Sequence, residues 1–343
     1  MRYVHIDAVE SGQYLGRTIF TSNGVVLLSE GVQLTVYMIT TLRRIGVTMV
    51  YIKDPNYQDV VIEDVVSDET KQVVMKQMGD TFESLRSGKE LNTRTLSQSI
   101  ERMLDELLKN KDILLQLTDI RSKDNEMYVH ALNVCMMSTL IGISMELNSL
   151  QLKELATGAL LHDVGKVDGT ADDEAQDVKL HHTWRGYELL KSKREYSLLI
   201  AHCAFQHHEA IDGTGKPRRL IGEDIHLYAK IVAVANAYDN LLFNQIDGKN
   251  MLPHEACEHM MGWSNTMLDR DVLIHFLKTV SIYSTGSSVR LSTKETGVVV
   301  GQHRGLPGRP VIRIVKSDGG RDMDVTEVDL SKHTTVFVED VLT

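Results

Sequence analysis

Eight of the 14 histidines lie between His130 and His226, and several directly adjoin apolar runs. This feature constrains the fold most, because an imidazole carried into an interior needs a polar partner there. His162-Asp163 follows Ala159-Leu160-Leu161, and His207-His208-Glu209 follows the apolar-rich stretch from Leu198 to Phe205. His181-His182 precedes an amphipathic stretch from Trp184 to Leu190. Each piece alone has a plain reading. Glu126 and His130 share one face of a helix, one turn apart, where they can hold an ion or simply make a surface pair. His162-Asp163 is equally a ligand pair or a structural histidine beside a capping aspartate.

Taken together, two histidine pairs and a His-Asp pair point to one metal site. Imidazole and carboxylate suit iron, manganese or zinc, and the lack of thiolate nearby favours a catalytic type of site over structural zinc. Asp163 has two oxygens and can bridge two ions. Lys166, one turn on, can meet a phosphate oxygen. The loop Asp212-Gly213-Thr214-Gly215-Lys216-Pro217 reads as a tight turn that exposes its backbone. It is not a Walker loop, because no Ser or Thr follows its Gly-Lys. Cys135, Cys203 and Cys257 are far apart and lack zinc-finger spacing, so they read as buried thiols in a reducing compartment.

The 343 residues suffice for two or three domains, with 42% hydrophobic and 24% charged residues. The pattern predicts a multidomain chain, mainly an α-helical metal-binding domain with small flanking units. Residues 1–60 read as a small α+β domain. Residues 61–117 read as connecting helices, over 68–86 and 95–117, that serve as a dimer contact or pack onto the next domain. Residues 118–288 read as the helical domain, and residues 289–343 as a small β unit. A net charge of -10 argues against non-specific DNA binding. A small anionic ligand remains compatible, since metal ions supply local positive charge. The N-terminus lacks a signal-peptide pattern. The apolar stretch from Val129 to Leu147 is interrupted by His130 and Asn133, and reads as a buried helix rather than a membrane span. The expected location is cytoplasmic.

In order, these residues resemble the HD-GYP family of the HD phosphohydrolase superfamily, over about residues 118–285. The matching elements are Glu126-x-x-x-His130, His162-Asp163-Val164-Gly165-Lys166, His182 four residues before Gly186, His207-His208-Glu209, and the loop Asp212 to Pro217. The resemblance implies a centre of two or three divalent ions, iron or manganese, that hydrolyses c-di-GMP to pGpG or GMP. It implies metal ligands at Glu126, His130, His162, Asp163, His182, His207 and His208, with Glu126 like the glutamate of members that hold a third ion. Asp163 and Lys166 take the catalytic places. Lys166, Asp212, Gly215, Lys216 and Pro217 take the substrate-binding ones.

Three departures stand out. Lys216 replaces the family's tyrosine. Asn236, in Val234-Ala235-Asn236-Ala237-Tyr238-Asp239, replaces a ligand aspartate and offers only a carbonyl oxygen, with Asp239 three residues on. Gln245 and Gly248 stand where the family has a basic pair, with Lys249 one residue out of register. The resemblance thus implies a metal-dependent phosphodiesterase. Its alternatives are a member that binds c-di-GMP or docks a signalling partner without cutting, and a phosphohydrolase of another nucleotide.

Overall fold

A computed structural model describes all residues except 22–24, 88–92, 118–125, 168, 170, 172, 174–176, 244–250, 318–322 and 343. By internal packing the chain divides into two units, each assembled from separated stretches. One comprises Met1–Asp64, Asp112–Glu126 and Val280–Thr343, and the other Val65–Lys111 and Met127–Thr279. The end segments, expected as separate units, thus belong to one unit, and the expected connecting helices belong to the helical one.

In the first unit, β1 (Arg2–His5) pairs antiparallel with β4 (Met49–Ile52), and β2 (Ile19–Phe20) pairs with β3 (Val26–Leu28). Helix α1 (Val36–Arg44) is capped by Thr35, whose side chain accepts from the Met38 amide. Gly46 leaves this helix at φ +93°, a left-handed conformation that favours glycine. Leu15, Ile19, Leu34, Leu42 and Val50 close the local core. The C-terminal residues form an antiparallel sheet in the order β8-β7-β6-β5-β9, from β5 (Ser288–Leu291), β6 (Thr296–Gly301), β7 (Val311–Ser317), β8 (Met323–Asp329) and β9 (Val338–Leu342). The two ends of the chain meet inside this unit. Val298 packs with Tyr57 and Val60, and Arg313 binds both Asp59 oxygens at 2.6 Å.

The second unit begins with α2 (Asp68–Arg86) and α3 (Thr93–Lys109). Of the apolar stripe Leu96, Ile100, Met103, Leu104, Leu107 and Leu108, all are buried inside this unit except Leu108, which is exposed. The helix predicted over 95–117 stops at Lys109. The apolar residues Ile113 to Leu115 extend its pattern on paper, but the chain turns at Asn110, whose side chain donates to the Val65 carbonyl at 3.1 Å. Leu115 instead bridges to Val280 in the first unit.

Helix α4 (Glu126–Ser144) is apolar and long enough to cross a membrane by length and composition, yet 78% of its apolar window is buried. It is a core helix, as its interrupting His130 and Asn133 predicted. It is followed by α5 (Ser149–Leu160), α6 (His182–Lys191), α7 (Leu198–Gln206), α8 (Leu227–Phe243), α9 (Pro253–Gly262) and α10 (Arg270–Leu277). Asn148 and Gln151 form a capping box that starts α5.

Candidate metal centre

His130 lies one turn into α4, and His162 and Asp163 follow the end of α5. His182 opens α6, and His207 and His208 follow the end of α7. These helix ends converge. The Nε2 atoms of His130 and His162 are 3.2 Å apart, and each is 3.7 Å from Asp163 Oδ2. The Nε2 atoms of His182 and His207 are 3.3 Å apart, and lie 3.3 and 3.5 Å from Asp163 Oδ1. His208 offers a ligand atom within 4.8 Å of those of His182 and His207. One carboxylate therefore divides between two histidine pairs, one oxygen to each. Two ligand atoms about 2.1 Å from a shared ion stand roughly 3.0–3.4 Å apart, close to these separations.

The proton positions strengthen the fit. His162 Nδ1 faces the Ala159 carbonyl at 2.7 Å, and His207 Nδ1 faces the Cys203 and Ala204 carbonyls at 3.1 and 3.0 Å. His130 Nδ1 lies 2.5 Å from Asp239 Oδ2, and His182 Nδ1 lies 2.7 Å from both Asp173 oxygens. Carbonyls and carboxylates only accept, so Nδ1 carries the proton in each neutral ring. All four Nε2 lone pairs then face Asp163. Its buried Oδ1 has no hydrogen-bond partner. Lone pairs gathered around a buried carboxylate repel unless a cation lies among them, so the donor set fits divalent ions.

Burial, above all, holds His162 and His208 well below the ordinary histidine range, and lowers His207. At Asp163 burial acts upward, but positive charge beside it, with the Lys166 ammonium at 2.7 Å, leaves the carboxyl well below its usual range. His162, His207 and His208 therefore stay neutral at neutral pH, as ligation requires. In metal-stripped protein the unfolded chain binds protons below about 6.5, while these buried rings do not. Stability should accordingly be fully present above that value and fall as pH drops below it. Melting the stripped protein from pH 7.5 down to pH 5 should show a steadily falling midpoint, and a flat profile would refute neutral burial.

The other predicted residues occupy different places. Lys166 is partly exposed and donates to Asp163 Oδ2 at 2.7 Å. Asp173, His181 and His182 form a third cluster of possible ligand atoms, and Glu126, the exposed first residue of α4, belongs to none of the three. Asn236 is buried on α8, with Oδ1 accepting from Asn240 at 2.9 Å. Asp212 is exposed and accepts from the Thr214 amide and hydroxyl at 2.9 and 2.6 Å. Lys216 Nζ donates to the Asp173 carbonyl oxygen at 3.2 Å, and Pro217 follows it in the same loop. Gln245, Gly248 and Lys249 lie outside the described residues.

Two glycines shape the site. A Cβ on Gly165 would come within 2.0 Å of the His182 carbonyl oxygen, and one on Gly215 within 2.1 Å of the Ala210 amide nitrogen. Only glycine allows backbone to approach so closely. Beside the loop, buried Glu209 accepts from the Arg218 and Leu220 amides at 2.8 and 2.9 Å.

Sequence reasoning gave Glu209, Asn133 and Asp173 no role. Asn133 donates to Asp239 Oδ1 at 3.0 Å, and so helps to hold the partner of His130. Helical spacing placed Asp239 near the site, but its position is behind His130. Such outer carboxylates fix ring orientation and raise ligand basicity.

Residues 102–272 match the family described as "HD domain", and residues 288–343 match "KOW domain associated with HD domain". The chain is similar to a cyclic di-GMP phosphodiesterase of Pseudomonas aeruginosa, at 31% identity over 65% of this chain and 56% of that one. A cyclic di-GMP phosphodiesterase of Thermotoga maritima is 29% identical over 57% of this chain and 56% of its own. A 3'3'-cGAMP-specific phosphodiesterase of Vibrio cholerae is 28% identical over 42% of this chain and 30% of its own. The chain thus spans little more than half the length of the first two. With the family match falling on the residues that converge at Asp163, this chain belongs to the HD-GYP family of HD-domain proteins.

Proposed function

We propose that this chain is a metal-dependent cyclic dinucleotide phosphodiesterase, with c-di-GMP as substrate and pGpG or GMP as product. The observation that carries the reading is the division of Asp163 between two histidine pairs. His130, His162 and Asp163 Oδ2 would hold one ion, and His182, His207, His208 and Asp163 Oδ1 a second. Glu126 and Asn236 match the remaining ligand places of the family. When bound, such ions supply Lewis acidity that neutralises a phosphodiester and makes water more acidic. Hydrolysis adds water across one P–O bond: oxygen joins phosphorus, the ribose oxygen leaves, and it gains a proton. Lys166 lies against the carboxylate at the centre, where its ammonium would offset charge growing on phosphoryl oxygens. Gly215 lets the Asp212–Pro217 loop pack against Glu209 and Ala210, close to His208. Iron or manganese suits the nitrogen and oxygen donors. A reducing, cytoplasmic setting agrees with the three buried free thiols.

Asn236 favours a second reading, in which c-di-GMP is bound and not cut. Its carbonyl is neutral and already accepts from Asn240. The protein should be purified without oxygen, loaded with iron or manganese, and given c-di-GMP, 3'3'-cGAMP and a cyclic mononucleotide in parallel. Wild-type production of pGpG or GMP, absent in His162→Ala, would support the enzyme. Asn236→Asp should raise turnover roughly tenfold or more, because a carboxylate binds a divalent ion better than an amide carbonyl. Tight c-di-GMP binding with turnover only in Asn236→Asp would favour the second reading. Faster cleavage of another substrate would displace c-di-GMP.

A further inference from the structure

The four Nε2 donors are not held equally firmly. His162 and His207 direct Nδ1 to carbonyls of their own helices, α5 and α7. His130 is held by Asp239, which is fully buried on α8 and also bound by Asn133. The partner of His182 is of another kind. Asp173 is only half-buried and belongs to no helix or strand. Its carboxylate accepts a hydrogen bond from His182 Nδ1–H at 2.7 Å, and also one from the His182 amide at 3.0 Å. Asp173 is held in turn from the Asp212–Pro217 loop, where Lys216 Nζ reaches its carbonyl oxygen at 3.2 Å.

We infer that Asp173 is the positioning residue for His182, and that Lys216 serves it by fastening Asp173 in place. This rests on the metal centre proposed above, and gives Lys216 a task other than gripping a phosphate. In the chain Lys216–Asp173–His182–Asp163 Oδ1, each link orients the next. Asp173 fixes the proton on Nδ1 and turns Nε2 toward Asp163. Lys216 acts on the backbone carbonyl of Asp173, so its effect on His182 passes through Asp173.

Metal-stripped full-length protein would be titrated with Mn²⁺ by calorimetry, and with Co²⁺ by visible absorption as a report on ligand geometry. Two binding steps are expected. Asp173→Ala should weaken one step about 10–100-fold, the usual effect of losing such a partner, and leave the other near its wild-type value. Lys216→Met should weaken the same step less, and Lys216→Arg should restore it. The double variant should be no weaker than Asp173→Ala, because the two act in series. Circular dichroism melts of the stripped proteins would show whether each variant still folds.

The inference is overturned if Lys216→Met leaves both steps unchanged, if both steps fall together, or if the two substitutions add. A wild type that takes up no ion overturns this inference and the proposed function together. Selective loss of one step in a protein that cleaves no cyclic dinucleotide would leave the inference standing and sink only the proposed activity.

Discussion

Asp163→Ala should remove both ion sites at once and lower phosphodiester turnover by roughly 10³-fold or more, the cost of losing several kcal/mol of charge stabilisation. The reason is stoichiometric. Each Asp163 oxygen faces a different histidine pair, so no other described side chain matches its reach. His162→Ala and His207→Ala each touch one group and should leave partial metal binding. Asp163→Asn offers a sharper test. Its amide nitrogen would present N–H donors to one of the two histidine pairs, its oxygen would face the other, and the buried negative charge would be gone. Metal-stripped Asp163→Asn should therefore melt higher than the stripped wild type, while binding ions far more weakly. Calorimetric metal titration and thermal melts of the same samples would check both halves. Intact uptake of two ions by Asp163→Ala would end the shared-carboxylate reading.

The second large effect is expected at Gly165. Its position allows a Cβ only 2.0 Å from the His182 carbonyl oxygen and 2.7 Å from the Gly186 amide nitrogen. Both obstacles are backbone atoms of α6, so neither can rotate away. Gly165→Ala must push α6 from the turn that carries Asp163 and Lys166, and should cost about 2–4 kcal/mol in stability. Displacing α6 also moves His182, so metal uptake should fall with the melting midpoint. Gly262→Ala is the control, because nothing lies within 4 Å of its added Cβ at the end of α9. It should be neutral or stabilise by up to about 1 kcal/mol. Equal melts for Gly165→Ala and wild type would show that the turn and α6 have room to part.

The ligands were legible because imidazoles beside apolar runs are anomalous, and their short spacings survive as local structure. His162-Asp163 and His207-His208 follow helix ends, so side chains close in sequence are close in space. Asp173 carried no such signal. It lies nine residues before His182 in irregular chain, and no period links the two. Asp239 was half legible. Helical spacing put it near Asn236, but its bond to His130 on α4 joins residues 109 apart in sequence. The early end of α3 was hidden for another reason. Leu114 and Leu115 are buried, so an apolar pattern ran on past the helix, although these residues serve the other unit.

Neither unit is one continuous stretch. The chain passes from one to the other after Asp64, Lys111, Glu126 and Thr279. A vector that encodes only residues 118–288 would therefore omit α2 and α3, stripping cover from the helices that carry His162. It would also carry stray pieces of the sheet-bearing unit, without Asp59, Arg313 or the strands beyond residue 288. During vectorial synthesis, the first 64 residues must wait for the final strands to emerge before Tyr57 and Val60 can meet Val298. Domain swaps that treat residues 118–288 as a cassette should give insoluble fragments, whereas cuts at 64 and 280 made together would keep the helical unit whole while carrying residues 112–126 of the other unit with it.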